Sequence, residues 1–437
     1  MAEHFSRAFR RLPACLLALS LCTTGVPVSW AQEETTPSTS ETTQRTTSPN
    51  TDDCPHATTP PPPVDTSEEP KPGQSSPAPL PVPAINAGGP KLNECGVIAA
   101  EGFTVPQGNT ASSWIVFDLD SGEVSAAKDP HGRYRPASVI KALLALVSIT
   151  NLDLDKKVSV SAESAGIEGS AVGIGPDGVY TNRQLISGLL MASGNDAAHA
   201  LAQELGGDRV ALEKVNALAR QVGARNTRVA TYSGLDGPGM STTAFDLALI
   251  YKQAWANPVF AEIVRTRSID FPGWGDYEGF EVWNDNQLLS KHEDSLGGKT
   301  GYTDDANHTF VGAREVNGRR LAAVILDATI TPTKRAWQMA DDLIDAAADT
   351  PPAAEPVGTV AAVAETSSVE TSTPSAPSAA SEDAAAAEPE PAGPSRGADV
   401  ALVAAFILSL ILAGVVGVAG VRSRRRRRVR LRPRRRR

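Results

Sequence analysis

Two long stretches of this chain lack the side chains to build a core, and that decides where a fold can be. Residues 32–97 are dominated by Thr, Ser and Pro and include an uninterrupted Pro60-Pro61-Pro62-Pro63. Residues 350–398 are dominated by Ala, Ser, Pro and Glu. Neither carries enough apolar surface to offset the entropy lost on ordering, so both are expected to be disordered spacers. The part able to fold is 98–349, a length suited to one domain.

The two ends point to export and a membrane. Arg7, Arg10 and Arg11 precede an apolar run from Leu12 to Leu21, and Val28-Ser29-Trp30-Ala31 offers small residues for a cut after Ala31; residues 1–31 read as a secretory signal peptide. Val400 to Val421 is apolar apart from Ser409 and the glycines, and 399–421 is long enough to span a bilayer as a helix. Residues 422–437 hold 12 arginines and no acid. Set directly after an apolar span, that run reads as a positive-inside topology anchor with the C-terminus in the cytoplasm, with anionic lipid or a cytoplasmic partner as the other use. The rest of the chain is acidic (net charge -9 overall), which gives no footprint for nucleic acid. Of four cysteines, Cys15 and Cys22 leave with the signal peptide. Cys54 and Cys95 remain, and an exported pair is expected to form a disulfide that ties the first spacer to the domain edge.

Within the domain, strands lie at both ends and helices between them. Trp114 to Phe117 and Glu123 to Ala127 flank Asp120-Ser121-Gly122 as a hairpin, and Asn307 to Val316 and Arg320 to Ala328 flank Asn317-Gly318 as another. Helical patterns run through 181–191, 196–205, 208–222, 242–256 and 333–347, the first opened by a capping box, Thr181…Gln184. The expected class is α+β: an antiparallel sheet flanked by helices, plus a helical lobe.

Three short segments carry chemistry. Ser138 and Lys141 are three apart at the start of an apolar helix opened by Pro136, so they share one face. A serine hydroxyl needs a base to become a nucleophile, and burial favours the neutral amine that could serve as one. A second Ser-x-x-Lys, Ser125…Lys128, falls in a strand, where the two side chains point to opposite faces. Alone, Ser138 reads equally as a helix cap and Lys141 as a snorkelling lysine; the company of Ser193-Gly194-Asn195 and Lys299-Thr300-Gly301, in that order, decides otherwise. The histidines (His131, His199, His292, His308) show no zinc-ligand spacing, so neither a metal nor another cofactor is expected.

With these three elements the domain resembles the penicillin-binding and serine β-lactamase superfamily. Within it the chain is most similar to the D-alanyl-D-alanine carboxypeptidases of peptidase family S11. The carrying residues are Arg135 to Lys141, Ser193 to Ala198, Gly298 to Thr303 and Asn284-Asp285-Asn286-Gln287-Leu288-Leu289, which resembles an Asn-x-Asn-x-Leu-Leu stretch of those enzymes. The resemblance implies a β-lactamase/transpeptidase-like fold and an acyl-enzyme on Ser138. Lys141 would act as its base and Ser193 would pass the proton to the leaving amine. Asn195 would orient Lys141 and the substrate amide. Lys299, Thr300 and Gly301 would bind the substrate's end against a strand edge, and the N–H groups of Ser138 and Tyr302 would form the oxyanion hole. Lys334 or Arg335 would add a cation. The implied partners are peptidoglycan stem peptides, with β-lactams as covalent inhibitors.

Three other readings stand beside this one. A class A β-lactamase needs a Glu-x-x-Leu-Asn stretch, and the nearest approach, Glu213-Lys214-Val215-Asn216, is one residue short. An inert peptidoglycan- or partner-binding membrane protein would leave the three segments unused. An endopeptidase would keep the chemistry and change the bond.

Overall fold

The computed structural model describes residues 45–362 of 437. The expected signal peptide, spanning helix and arginine tail lie outside the described residues. Among the described residues no helix is long and apolar enough to cross a membrane.

The chain enters through β1 (Val97–Ala99), β2 (Ser113–Asp118) and β3 (Glu123–Lys128). It crosses into a helical lobe with α1 (Lys141–Asn151), β4 (Lys157–Ser159), α2 (Ala162–Ala165), β5 (Val179–Thr181), α3 (Asn182–Met191) and α4 (Asn195–Glu204). Then come α5 (Asp208–Gln221), α6 (Ala244–Trp255), α7 (Pro258–Arg265) and a hairpin of β6 (Ser268–Phe271) and β7 (Phe280–Trp283). The short α8 (Gln287–Lys291) leads back to β8 (Ser295–Thr303), β9 (Asn307–Val316) and β10 (Arg319–Ala328), followed by α9 (Ala336–Asp349) and β11 (Gly358–Thr359). The main sheet runs β1-β3-β2-β10-β9-β8, with β11 also on β3, and its pairings are antiparallel. Strand β8 is therefore an edge.

Period-two alternation explains why both faces of this sheet are covered. Ile115 and Phe117 of β2 and Val324 and Leu326 of β10 turn to the helical lobe. Trp114 and Val116, with Leu321, Ala323 and Ile325, turn the other way onto α9, whose Ala336, Met339, Ala340, Leu343, Ile344 and Ala347 form one helical stripe. Helix α1 is buried all round from Lys141 to Ser148, as expected of a central helix. The capping box at Thr181 and Gln184 is present. Asn317 and Gly318 turn the last hairpin with φ of 53° and 75°, the left-handed pair that a two-residue turn needs. Helix α7 was not anticipated, although Asn257 caps it and Pro258 opens it.

The first spacer needs correcting. Residues 45–96 do not stand off as a disordered segment; they lie against the domain as a strap. The strap builds no core of its own, which composition did foretell, and it is held mainly by its backbone carbonyls. Arg133, 1% exposed, donates to the carbonyls of Thr58, Leu80 and Pro81 at 2.6, 2.6 and 2.9 Å and to Asn226 Oδ1 at 2.9 Å. Arg135 donates to Glu68 Oε2 (2.8 Å) and to the Pro61 carbonyl (2.8 Å). Lys128, the lysine of the second Ser-x-x-Lys, donates to Ser48 Oγ and the Pro49 carbonyl. A disulfide joins Cys54 to Cys95. The second spacer also starts later than expected: Val357 and Val360 are buried and β11 extends the sheet.

Asp246, on α6, carries a testable pH dependence. Burial pushes its carboxyl up to about 7, against bonds from the Thr227 hydroxyl and the Asn226 N–H. A carboxyl raised by folding stabilises fully below its unfolded pKa, and that contribution is lost as pH rises through the folded value. The melting temperature of Asp246→Asn relative to the unaltered chain should therefore shift in the variant's favour between about pH 5 and about pH 8. An equal difference at both pH values would contradict this.

Candidate active site

Ser138 sits in a 3-10 turn, Ala137–Ile140, that runs directly into α1. Ala137, just before it, has φ of 48°, a conformation that costs a non-glycine residue energy and persists only where packing imposes it. That packing comes from two sides. Gly234 lies so close that a Cβ there would stand 2.1 Å from the Ala137 carbonyl oxygen, and Thr309 on β9 donates to the Pro136 carbonyl at 2.8 Å.

Lys141 Nζ lies 2.8 Å from Ser138 Oγ and also donates to the Ser233 carbonyl. It is fully buried. Burial holds it well below the ordinary lysine range, and the ammonium of Lys299 pushes the same way. The pair that spacing suggested is thus in hydrogen-bond contact, and burial disfavours the charged form of its amine.

Ser193 lies in the break between α3 and α4, at φ 58°, and Asn195 opens α4. The Ser193 hydroxyl makes no hydrogen bond to the described residues, so it is free to meet a ligand. Asn195 departs from expectation. Its Nδ2 donates to the Glu168 carbonyl (2.9 Å), and it is not a partner of Lys141; the Ser233 carbonyl takes that place. Asn195 Oδ1 is buried and unpaired, which leaves it an available acceptor. Asp196 fixes the loop above it by accepting from the N–H groups of Val172, Gly173 and Ile174.

Edge strand β8 closes the site. A Cβ on Gly301 would lie 3.0 Å from the Ser138 nitrogen and 2.3 Å from Thr309 Oγ1, so the strand runs against the nucleophile's turn and tolerates no side chain there. Tyr302 follows Gly301 on the strand; its ring is exposed and its hydroxyl donates to Asp304 at 2.8 Å. Lys299 is fully buried and donates to Thr300 O and Oγ1, at 3.0 and 3.2 Å. Burial lowers its pKa, opposed by the nearby Asp285 carboxylate. That carboxylate lies 3.5 Å from Lys299 Nζ and accepts from Thr300 Oγ1 at 2.7 Å. Sequence reasoning placed Asp285 in a motif and gave it no role. The flanking Asn284 and Asn286 hold the motif in place: Asn284 donates to the Thr266 carbonyl (2.9 Å) and Asn286 caps α8.

A cavity of about 380 Å³ continues from Thr300 and Gly301, lined also by Asp285, His308, Arg335 and Trp337. Arg335 makes no salt bridge among the described residues, whereas Lys334 is paired with Asp342. Of the two basic residues named from sequence, Arg335 is therefore the one beside the site. Glu213 lies on α5, ion-paired to Arg209 at the surface, and has no place in the cleft.

The family model for D-alanyl-D-alanine carboxypeptidase, peptidase family S11, matches residues 101–330. D-alanyl-D-alanine carboxypeptidase DacB2 of Mycobacterium tuberculosis is 45% identical over 246 residues, which is 55% of this chain and 83% of that protein. A crystal structure of a D-alanyl-D-alanine carboxypeptidase from the same organism superposes with a TM-score of 0.57 at 42% identity, over 60% of this chain and 99% of that one. The Streptomyces K15 DD-transpeptidase gives a TM-score of 0.53 at 25% identity, over 56% of this chain and 98% of that one. The Ser138 turn, Lys141 and strand β8 come together in a fold shared with these enzymes, and the chain belongs to the D-alanyl-D-alanine carboxypeptidase family, peptidase family S11.

Proposed function

We propose that this domain removes the terminal D-alanine from peptidoglycan stem peptides through an acyl-enzyme on Ser138. The observation that carries the reading is the 2.8 Å contact between Ser138 Oγ and a fully buried lysine amine. Lys141 takes the hydroxyl proton as Oγ attacks the penultimate D-alanine carbonyl. The oxyanion sits toward the N–H groups of Ser138 and Tyr302. The C–N bond breaks as Ser193 passes a proton to the leaving amine, and D-alanine departs. Water, activated by Lys141, then attacks the ester and restores Ser138. Asn195 Oδ1 accepts from the substrate's amide N–H, and Lys299, Thr300 and Arg335 hold the terminal carboxylate. Penicillin enters the same chemistry as a carbonyl that acylates Ser138 and leaves slowly, because Glu213, the nearest approach in sequence to a deacylating glutamate, is paired with Arg209 on the surface of α5.

The topology of the ends supports an extracytoplasmic catalytic domain. A cleaved leader at 1–31, a span at 399–421 and a cytoplasmic arginine tail would anchor it by a single pass, with 363–398 as tether.

The test is release of free D-alanine from an acyl-D-Ala-D-Ala peptide by the full chain. Release that benzylpenicillin abolishes is the expected result. Peptide binding with no release would favour a binding module, and rapid turnover of penicillin without lasting label would favour a β-lactamase.

A further inference from the structure

Thr300 presents a conflict that the reaction must resolve. A threonine hydroxyl has one proton to donate. That proton goes to Asp285 Oδ2 at 2.7 Å, and the Lys299 ammonium is 3.5 Å from the same oxygen. These are two of the three groups that the proposed function assigns to the substrate's terminal carboxylate. Asp285 thus holds a carboxylate oxygen where a substrate carboxylate would seek its partners. Its backbone is pinned, the Asp285 N–H donating to the Met191 carbonyl at 2.8 Å. Its side chain is 36% exposed, so rotation out of the way needs no change in the fold.

We propose that Asp285 is a specificity-determining residue. Its carboxylate occupies, from within the protein, the anion position that Lys299 and Thr300 offer to the C-terminal carboxylate of the substrate, and it must be displaced on binding. The inference rests on the carboxypeptidase reading above. The geometry has two consequences. In the free enzyme Lys299 keeps a counter-ion, which a fully buried ammonium requires. An arriving carboxylate finds Arg335 unpaired in the same cavity but has to compete for the other two donors, and repulsion from Asp285 adds to the cost. The enzyme therefore binds peptides ending in a free carboxylate less tightly than its cationic groups alone would allow.

The test compares the full chain with Asp285→Asn on an acyl-D-Ala-D-Ala peptide, with the same peptide ending in a carboxamide as a competitive ligand. Asparagine keeps the shape and an acceptor for Lys299, and it removes the competing charge. KM for the acid is expected to fall about tenfold, the worth of roughly one charge-assisted hydrogen bond, while the inhibition constant of the carboxamide stays where it was. Asp285→Ala, which removes the carboxylate without adding an amide donor, should move KM in the same direction. An unchanged or higher KM in both variants would mean that Asp285 serves only as the counter-ion of Lys299, and the inference would fall. If the unaltered chain releases no D-alanine at all, the carboxypeptidase reading fails and this inference fails with it. If D-alanine is released and the variants leave KM in place, only this inference is lost.

Discussion

Replacing Lys141 by methionine is expected to slow acylation by benzylpenicillin about a hundred- to ten-thousand-fold, the range that a positioned general base supplies. The amine is 2.8 Å from Ser138 Oγ and fully buried. With the amine absent, no other described base bonds that hydroxyl. Methionine nearly fills the same volume and removes an ionisable group that burial disfavours, so the melting temperature should not fall with the rate. Lys141→Arg separates a base from a mere charge. A guanidinium stays protonated at any workable pH, so the arginine variant should be as slow as the methionine one. Arginine restoring most of the rate would show that position 141 acts through its charge. The sign of the pH dependence follows from the same picture. Acylation by the unaltered chain should rise with pH through the pKa of Lys141, and that rise should lie well below the ordinary lysine range because burial and Lys299 both depress it.

Gly301→Ala is the second large effect. The added Cβ would lie 2.3 Å from Thr309 Oγ1 and 3.0 Å from the Ser138 nitrogen. The first neighbour is a buried hydroxyl that holds the Pro136 carbonyl, and the second is the backbone N–H that the proposed mechanism gives to the oxyanion. Something must shift, and each possible shift moves Ser138 relative to β8. Loss of one well-placed oxyanion donor costs about a hundred- to a thousandfold in rate. Overpacking of this kind costs about 1–3 kcal/mol in stability, so the variant should fold and label poorly. Labelling within a fewfold of the unaltered rate would show that β8 does not crowd the nucleophile's turn.

The parts of the site that sequence revealed are those whose chemistry lies in side chains at fixed spacing. Ser138, Lys141 and Lys299 are such parts, and Gly301 shows, by lacking a side chain, where the strand passes the Ser138 turn. Ser233 was invisible because it contributes a backbone carbonyl to Lys141, and any residue type offers one. Asn195 was assigned to Lys141 by resemblance, whereas its amide turns to the Glu168 carbonyl. The strap was misread for a related reason. Composition correctly denied it a core, but nothing in the sequence around Arg133 and Arg135 shows what they bond. In the fold they are 1% and 3% exposed; carbonyls of the proline-rich strap satisfy most of Arg133, and the Glu68 carboxylate with the Pro61 carbonyl satisfies Arg135. A segment without apolar side chains can be ordered by donors elsewhere, and spacing along the chain carries no trace of that.

The most direct measurement of the central claim is peptide-mapped mass spectrometry of the full chain after brief exposure to benzylpenicillin. A single penicilloyl adduct is expected, on the peptide carrying Ser138 and absent in Ser138→Ala. An adduct on Ser125, Ser193 or any other residue, or labelling that survives in Ser138→Ala, would contradict the account.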